Sequence, residues 1–344
     1  MIDIKLLEQL CLCNGISGDE GNVRNLIINE IKDCADDIKT DNLGNLIVFK
    51  KGKKSAKSKL MVSAHMDEVG LMVTDITSDG YLKFDEVGGI DRRVLPGKRV
   101  CVGRNGLNGV IGVKPIHLTN GDEKTAVPKM NDMYIDIGAE SREDALKYVN
   151  YGDGINFEGD FKINGKTVVT KALDDRFGCY VLINLIKSEP EYDMYFTFVV
   201  QEEVGLRGAR PAAFTVNPDF ALVIESTTAA DVAEVDASHQ VCNLSKGATV
   251  AVMDRATVYD KEMISAAFEL AEKNNIAVQY KRAVAGGNDS GAIHQSRGGV
   301  RTLAVSLPSR YIHAPSTAAN LDDCESVLKL AKVLSDYIAG GNLA

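Results

Sequence analysis

The chain has 344 residues, 45% of them hydrophobic, 25% charged and 6% aromatic, with 39 Lys and Arg against 48 Asp and Glu for a formal charge of −9. These proportions exclude a disordered or collagen-like chain, and the length suffices for about two domains whose cores need no disulfide or metal staple. The acidic balance would repel a phosphate backbone and argues against a nucleic-acid partner.

In chain order, apolar side chains at helical spacing predict helices over residues 2–11 and 23–31, separated by the loop chemistry of Asn14-Gly15-Ile16-Ser17-Gly18. A hairpin is expected around Asn42-Leu43-Gly44-Asn45, followed by six lysines between Lys50 and Lys59. Without interleaved aromatics that run is a solvated turn, not a nucleic-acid or membrane contact. Residues 59–64 form an apolar strand ending at His65. Residues 70–166 hold 15 of the 31 glycines among short β-branched segments at 99–102, 109–113 and 134–137, with one helical stretch at 142–148. Such glycine-punctuated short strands predict a small β-barrel or sandwich. Strands then alternate with helices: helices at 177–186, 261–273, 289–295 and 324–338, strands at 194–200, 220–225, 276–280 and 300–306. The expected architecture is an α/β fold, a sheet covered on both faces by helices and built from residues 1–69 and 167–344, interrupted by an inserted small β-barrel domain over 70–166. Seven cysteines, an odd number with no C-x-x-C pair, read as reduced thiols of a cytoplasmic protein. No apolar run approaches the ~20 residues of a membrane helix, and the start has no signal-peptide pattern.

Several predicted strands lead into residues able to carry chemistry. The strand at 60–64 delivers His65 and Asp67 on one face, at the carboxyl edge where α/β sheets place their sites. A carboxylate two residues after a histidine can receive the proton of the second ring nitrogen and orient the imidazole toward a metal. Asp174 and Asp175 precede a helix, where Asp175 reads as a cap. The strand at 195–200 leads to the pair Glu202-Glu203, which is costly in a partly buried setting unless cations compensate. The strand at 220–224 ends in Glu225, and the last strand leads to His313. Two imidazoles and several carboxylates at one sheet edge form a ligand set for two divalent ions around a shared carboxylate and a water. Mixed nitrogen and oxygen donors suit zinc, cobalt or manganese better than magnesium or calcium. His117, His239 and His294 lack such a pattern and read as structural.

Five ordered segments carry a resemblance: His65-Met66-Asp67-Glu68-Val69-Gly70, Ala172-Leu173-Asp174-Asp175-Arg176, Gln201-Glu202-Glu203-Val204-Gly205-Leu206-Arg207-Gly208-Ala209, Gly286-Gly287-Asn288-Asp289 and Tyr311-Ile312-His313. They resemble the motif set of the M42 family of metallo-aminopeptidases, and the likeness spans essentially the whole chain. The resemblance implies a zinc-exopeptidase-like catalytic domain in which His65, Asp174 and Glu225 hold one metal ion and Asp174, Glu203 and His313 a second. Asp174 would bridge, Glu202 would be the general base and Asp67 would orient His65. Many relatives carry Asp where this chain has Glu225. The resemblance further implies short peptides cut from the N-terminus, a cis bond between Asp174 and Asp175, and a tetrahedral homododecamer built from dimers through the inserted domain.

Three other classes can be weighed on the residues. A di-zinc amidohydrolase or carboxypeptidase of related fold would share the ligands, but its inserted domain is usually α+β, whereas 70–166 reads as nearly all β. An endoglucanase, as some relatives are labelled, needs two carboxylates and a stacking surface. It would leave the histidines unexplained in a chain without Trp. A metal-stabilised assembly protein would need no base such as Glu202 beside a closed coordination shell.

Overall fold

The computed structural model describes residues 1–343. The chain begins with α1 (Ile4–Leu12) and α2 (Gly21–Ile31), then β1 (Asp37–Thr40), β2 (Leu46–Lys50) and β3 (Leu60–His65). Asp3 caps α1 by accepting from the Leu6 main chain, and the apolar stripe Leu6, Leu7, Leu10 and Cys11 is buried. The expected hairpin joins β1 to β2: the Asp41 carboxylate accepts from the main chain of Leu43, Gly44 and Asn45 at 2.9–3.0 Å. Gly44 supplies the positive φ, +104°, which closes the turn.

The next segment leaves the sheet. Strands β4 (Gly70–Ile76), β5 (Leu82–Val87), β6 (Arg99–Val102), β7 (Leu107–Gly112), β8 (Tyr134–Asp136) and β9 (Gly154–Phe157) close into a six-stranded barrel in the order β4-β5-β8-β7-β6-β9. Every pairing is antiparallel. Two short helices, α3 (Gly121–Thr125) and α4 (Arg142–Ala145), lie in its connections. Its interior, including Leu71, Leu82, Val100, Ile111, Ile135 and Ile155, is a hydrophobic cluster distinct from the main core. Closure leaves these short strands no unpaired edge.

The chain returns through the hairpin β10 (Lys162–Asn164) and β11 (Thr167–Thr170) to α5 (Leu173–Lys187), β12 (Met194–Val199), α6 (Ala209–Val216), β13 (Phe220–Thr228) and β14 (Ala248–Val250). It ends with α7 (Lys261–Lys273), β15 (Val278–Tyr280), α8 (Ser290–Ile293), β16 (Arg301–Arg310), β17 (Thr317–Asn320) and α9 (Leu321–Ala339). The main sheet runs β1-β2-β12-β3-β13-β16-β17-β11-β10, with β14 joined to β16 and β15. Its centre, β12-β3-β13-β16, is parallel. All of β3 and all but the last residue of β13 are buried, as expected of parallel strands covered on both faces. Helix α5 packs on β3 and β13 with α1, α2 and α9 around it, while α6 and α8 pack together against β12, β13 and β16. The fold is therefore a mixed α/β sheet with flanking helices and a closed antiparallel barrel.

Two strands run further than their propensity indicates. Strand β13, expected to stop at Glu225, continues to Thr228, and β16 continues to Arg310, because the two pair in parallel as far as Thr228 and Ser309. Strand β3 pairs with β12 up to His65 but with β13 only as far as Ser63. A crevice thus opens between β3 and β13 at their carboxyl ends, where strand order reverses about β3. Strands β10, β11, β14 and β17 and helix α6 have no clear sequence signal. Strand β17 is only Thr-Ala-Ala-Asn, extended because β11 and β16 pair with it, and α6 carries Pro211 in its first turn, where the missing N–H costs nothing.

Candidate active site

The five residues with donor patterns come together at that crevice. His65 is the last residue of β3 and is buried. Asp174 stands at the start of α5, whose regular turns begin only after Asp175, and the Asp174–Asp175 peptide bond is cis. The Ser226 hydroxyl donates to the Leu173 carbonyl at 3.1 Å and ties this segment to β13. Glu203 lies in the loop after β12, Glu225 within β13, and His313 beyond β16. Asp174 lies between the imidazoles: Oδ1 is 3.2 Å from His65 Nε2 and Oδ2 is 3.5 Å from His313 Nε2. Glu225 Oε1 is 3.5 Å from His65 Nε2, and Glu203 Oε2 is 3.3 Å from His313 Nε2.

Three groups of donor atoms, each within 4.8 Å of one another, could hold a metal ion: His65–Asp174–Glu225, Asp174–Glu203–His313 and His65–Glu202–Glu203. The first two share Asp174. Among the described residues His117, His239 and His294 enter no such group. Backbone shape serves the site, since Ala172, Gln201, Tyr311 and His313 all adopt positive φ, 54° to 60°, a region that non-glycine residues occupy at a cost.

The electrostatics are those of a crowded acidic cluster. Burial raises the Glu203 carboxyl to about 8, helped by the Asp174 charge, and raises Glu225 to about 7. Burial also lifts Glu202 well above the usual range, with Asp289, Glu225 and Glu203 adding repulsion. Asp174 goes the other way: burial opposes its charge, but the bonds from His313 and His65 hold it far below the ordinary value. Burial alone would lower both imidazoles, yet the surrounding carboxylates raise His65 well above its usual value and His313 to about 9. So many buried carboxyls in contact with two imidazoles have their charges best compensated by divalent cations, and this donor set fits them.

A second layer of residues holds the cluster. The Asp67 carboxylate accepts from the Ser17 hydroxyl at 2.6 Å and from the main chain of Glu202 and Glu203 at 3.0 and 3.1 Å. It thereby fixes the loop that presents both glutamates. His65 Nδ1 lies 3.0 Å from the Asp67 carbonyl and 3.5 Å from its carboxylate, so the residue faces the ring with both groups. Asp175 accepts from the His65 main chain at 3.3 Å and caps Gly178 at 2.9 Å.

Several contributors were not singled out from the sequence. Buried Glu68 pairs with Lys171 at 2.6 Å and with Arg176 at 3.2 Å. The Arg176 guanidinium also donates to the carbonyls of Leu10, Cys13, Gly15 and Met66, joining the end of α1 to the segment after β3. Glu68 and Arg176 stand inside the motifs quoted above, which was their only signal. Gly89, in the barrel's β5–β6 connection, lies beside the His313 ring, where a Cβ would stand 3.7 Å from Nδ1; nothing in the sequence announces it. Asp289 is fully buried, and among the described residues neither carboxylate oxygen has a partner.

Comparison with known proteins agrees with this geometry. The family described as M42 glutamyl aminopeptidase matches residues 44–330. A protein of Acetivibrio thermocellus that carries an aminopeptidase name is 43% identical over 327 residues, covering 94% of this chain and 96% of its own. The structure of a TET aminopeptidase from a marine-sediment thaumarchaeon superposes with a TM-score of 0.93 at 32% identity, covering 99% of this chain and 98% of its own. The TET1 peptidase of Pyrococcus horikoshii, described as assembling into a tetrahedron or a large octahedral shell, gives 0.85 at 40% identity, covering 96% and 98%. The match over most of the chain, together with the convergence of its histidines and carboxylates at one crevice, places this hydrolase in the M42 family of aminopeptidases.

Proposed function

We propose that the protein is a metal-dependent aminopeptidase that removes N-terminal residues from short peptides, using two divalent ions per subunit. The observation that carries this reading is the position of Asp174, whose two oxygens face His65 and His313 separately. His65, Asp174 and Glu225 would hold one ion and Asp174, Glu203 and His313 the other, with zinc, cobalt or manganese matching the donors. Such ions, when bound, polarise a scissile carbonyl and make a water acidic enough to ionise near neutral pH. Glu202 stands beside the cluster in neither of those two groups and serves as the base that takes the proton and returns it to the leaving amine. Asp67 acts on the reaction through others, orienting His65 and holding the Glu202-Glu203 main chain.

Residues 1–69 and 167–344 form the catalytic domain in this reading, and the inserted 70–166 serves dimerisation and assembly. Exposed apolar side chains on the barrel's β7–β8 connection, Ile116, Leu118 and Val127, support a partner surface there. The closed barrel distinguishes the protein from amidohydrolases and carboxypeptidases with an α+β insertion. No helix among the described residues is long and apolar enough to cross a membrane. All seven cysteines are free, which supports a cytoplasmic location.

The test strips the protein with a chelator, reconstitutes it with zinc, cobalt or manganese, and assays aminoacyl chromogenic substrates beside N-blocked peptides and cellulose oligosaccharides. Metal-restored cleavage of substrates with a free amino group is expected. Equal activity in the stripped protein, or cleavage of blocked peptides or glucans alone, would overturn the reading.

A further inference from the structure

The loop that presents Glu202 and Glu203 leaves the sheet after Val199, and its main-chain donors then need partners of another kind. Successive amides find them in side chains. Val200 donates to Asn45 Oδ1 at 2.9 Å, Gln201 to Glu20 Oε1 at 3.2 Å, and Glu202 and Glu203 to the two Asp67 oxygens. Glu20 stands just before α2 and is buried, yet its side chain makes no capping bond to that helix. Its Oε1 turns back to the Gly18 amide at 2.7 Å and across to Gln201.

The residue it holds is a strained one. Gln201 has φ +57°, a region that a non-glycine residue occupies at a cost, and its conformation sets the direction in which the next residue, Glu202, leaves the loop. Asp67 holds the two glutamate amides; Glu20 holds the residue before them. The turn that carries Glu20 is fixed at its root. Gly15 donates to the Asn156 side chain of β9 at 3.1 Å and accepts from the Glu68 main chain at 3.1 Å, while the Ser17 hydroxyl donates to Asp67. It is therefore tied both to the barrel and to the segment after β3.

We infer that Glu20 is a positioning residue: its carboxyl holds Gln201 in the left-handed conformation from which Glu202 is aimed at the reacting centre, so that a residue before α2 sets the efficiency of proton transfer. This rests on the aminopeptidase reading, in which Glu202 is the base. The alternative is that Glu20 only fastens one loop to another, in which case its loss would lower stability and leave turnover unchanged.

The experiment compares metal-reconstituted wild type, Glu20→Ala, Glu20→Gln and the double variant Glu20→Ala/Gln201→Gly for kcat, KM, metal content and melting temperature, on the aminoacyl p-nitroanilide that wild type cleaves fastest. Hydrogen exchange over residues 200–206 gives a readout independent of turnover. Glu20→Ala should keep its metal and its KM, exchange faster over that segment, and lose on the order of 10- to 100-fold in kcat, the cost of a group misplaced by about 1 Å. Glu20→Gln, which keeps an acceptor oxygen at the same reach, should retain most of the wild-type kcat. In the double variant much of the loss should be recovered, because glycine adopts the positive φ without help. A Glu20→Ala protein with wild-type kcat, one whose loss follows its metal content, or a double variant no faster than Glu20→Ala would overturn the proposal while leaving the aminopeptidase reading intact. Should Glu20→Ala not fold, Glu20→Asp, whose arm is one methylene shorter, is judged by the same outcomes. No cleavage of any aminoacyl p-nitroanilide by the reconstituted wild type would end both.

Discussion

Glu202 and Glu203 are adjacent and chemically identical, yet they face different partners. Glu203 Oε2 lies 3.3 Å from the His313 ring and belongs to two of the possible metal groups, whereas Glu202 enters only the third. Glu→Gln keeps size and removes charge and basicity, so the two substitutions separate a ligand from a base. Glu202→Gln should retain its metal and lose on the order of 10²–10⁴ in kcat. Glu203→Gln should lose metal affinity, with activity partly restored by excess cation. Elemental analysis beside kcat decides, and metal loss in Glu202→Gln with retention in Glu203→Gln would reverse the roles. Behind the site, Glu68 is the one carboxylate in contact, among the described residues, with both buried cations Lys171 and Arg176. Glu68→Ala leaves those charges unpaired and should destabilise the fold by roughly 3–5 kcal/mol, the penalty for breaking a buried pair. Denaturant unfolding of the metal-free protein measures it, and a loss below about 1 kcal/mol would show that Arg176's carbonyl bonds suffice alone.

At the scale of elements, loops and caps are as specific as strands. Helix α7 coincides with its predicted span, 261–273, because its apolar stripe and its Asp260 cap are both local. Asp260 accepts from the main chain of Glu262 and Met263 at 3.0 Å and pairs with Arg301 at 2.7 Å. Burial pushes its carboxyl up, but those bonds outweigh burial and hold it below the ordinary value. A carboxyl lowered on folding stabilises fully above its unfolded pKa of about 3.9, and that stability is lost as pH falls through the folded value. Asp260→Ala should therefore cost about 1–2 kcal/mol at pH 7. The gap in melting temperature between variant and wild type should narrow below about pH 4; a gap constant from pH 7 to pH 3 would exclude the charge as its source. By contrast β17 and the far end of β13 exist through their pairing partners, since a strand's last hydrogen bonds are made with another segment.

For the whole molecule, the barrel and the sheet meet at the site. Gly89 of the barrel lies beside the His313 ring, and Gly88, at φ +84°, lies where a Cβ would come within 3.2 Å of Glu203 Cβ. The barrel is thus a wall of the site as well as the proposed assembly unit. If the exposed Ile116, Leu118 and Val127 cover a partner, the chain should scatter light as a large closed oligomer at micromolar concentration. Replacing all three with Ser or Asn should then yield smaller species, while a fully active wild-type monomer would refute assembly through this surface.

The division between sequence and structure follows from how far each interaction reaches along the chain. Periodicity, caps and turn chemistry act within a few residues, so α1, α7, the β1–β2 hairpin, β6 and the change of texture after Gly70 were legible in the sequence. So were His65, Asp174, Glu203, Glu225 and His313 as candidates, because each stands in a short segment whose local pattern is readable. Their spacing was not legible. Asp174 comes to lie between two imidazoles drawn from β3 and from beyond β16 only because parallel pairing sets those strands in register while β3 parts from β13 after Ser63. The same holds for the Glu68–Lys171–Arg176 cluster and for the approach of Gly89 to His313. Each joins segments distant in sequence, and burial, which turns an ordinary charged residue into a costly one needing a partner, is a property of the folded chain alone.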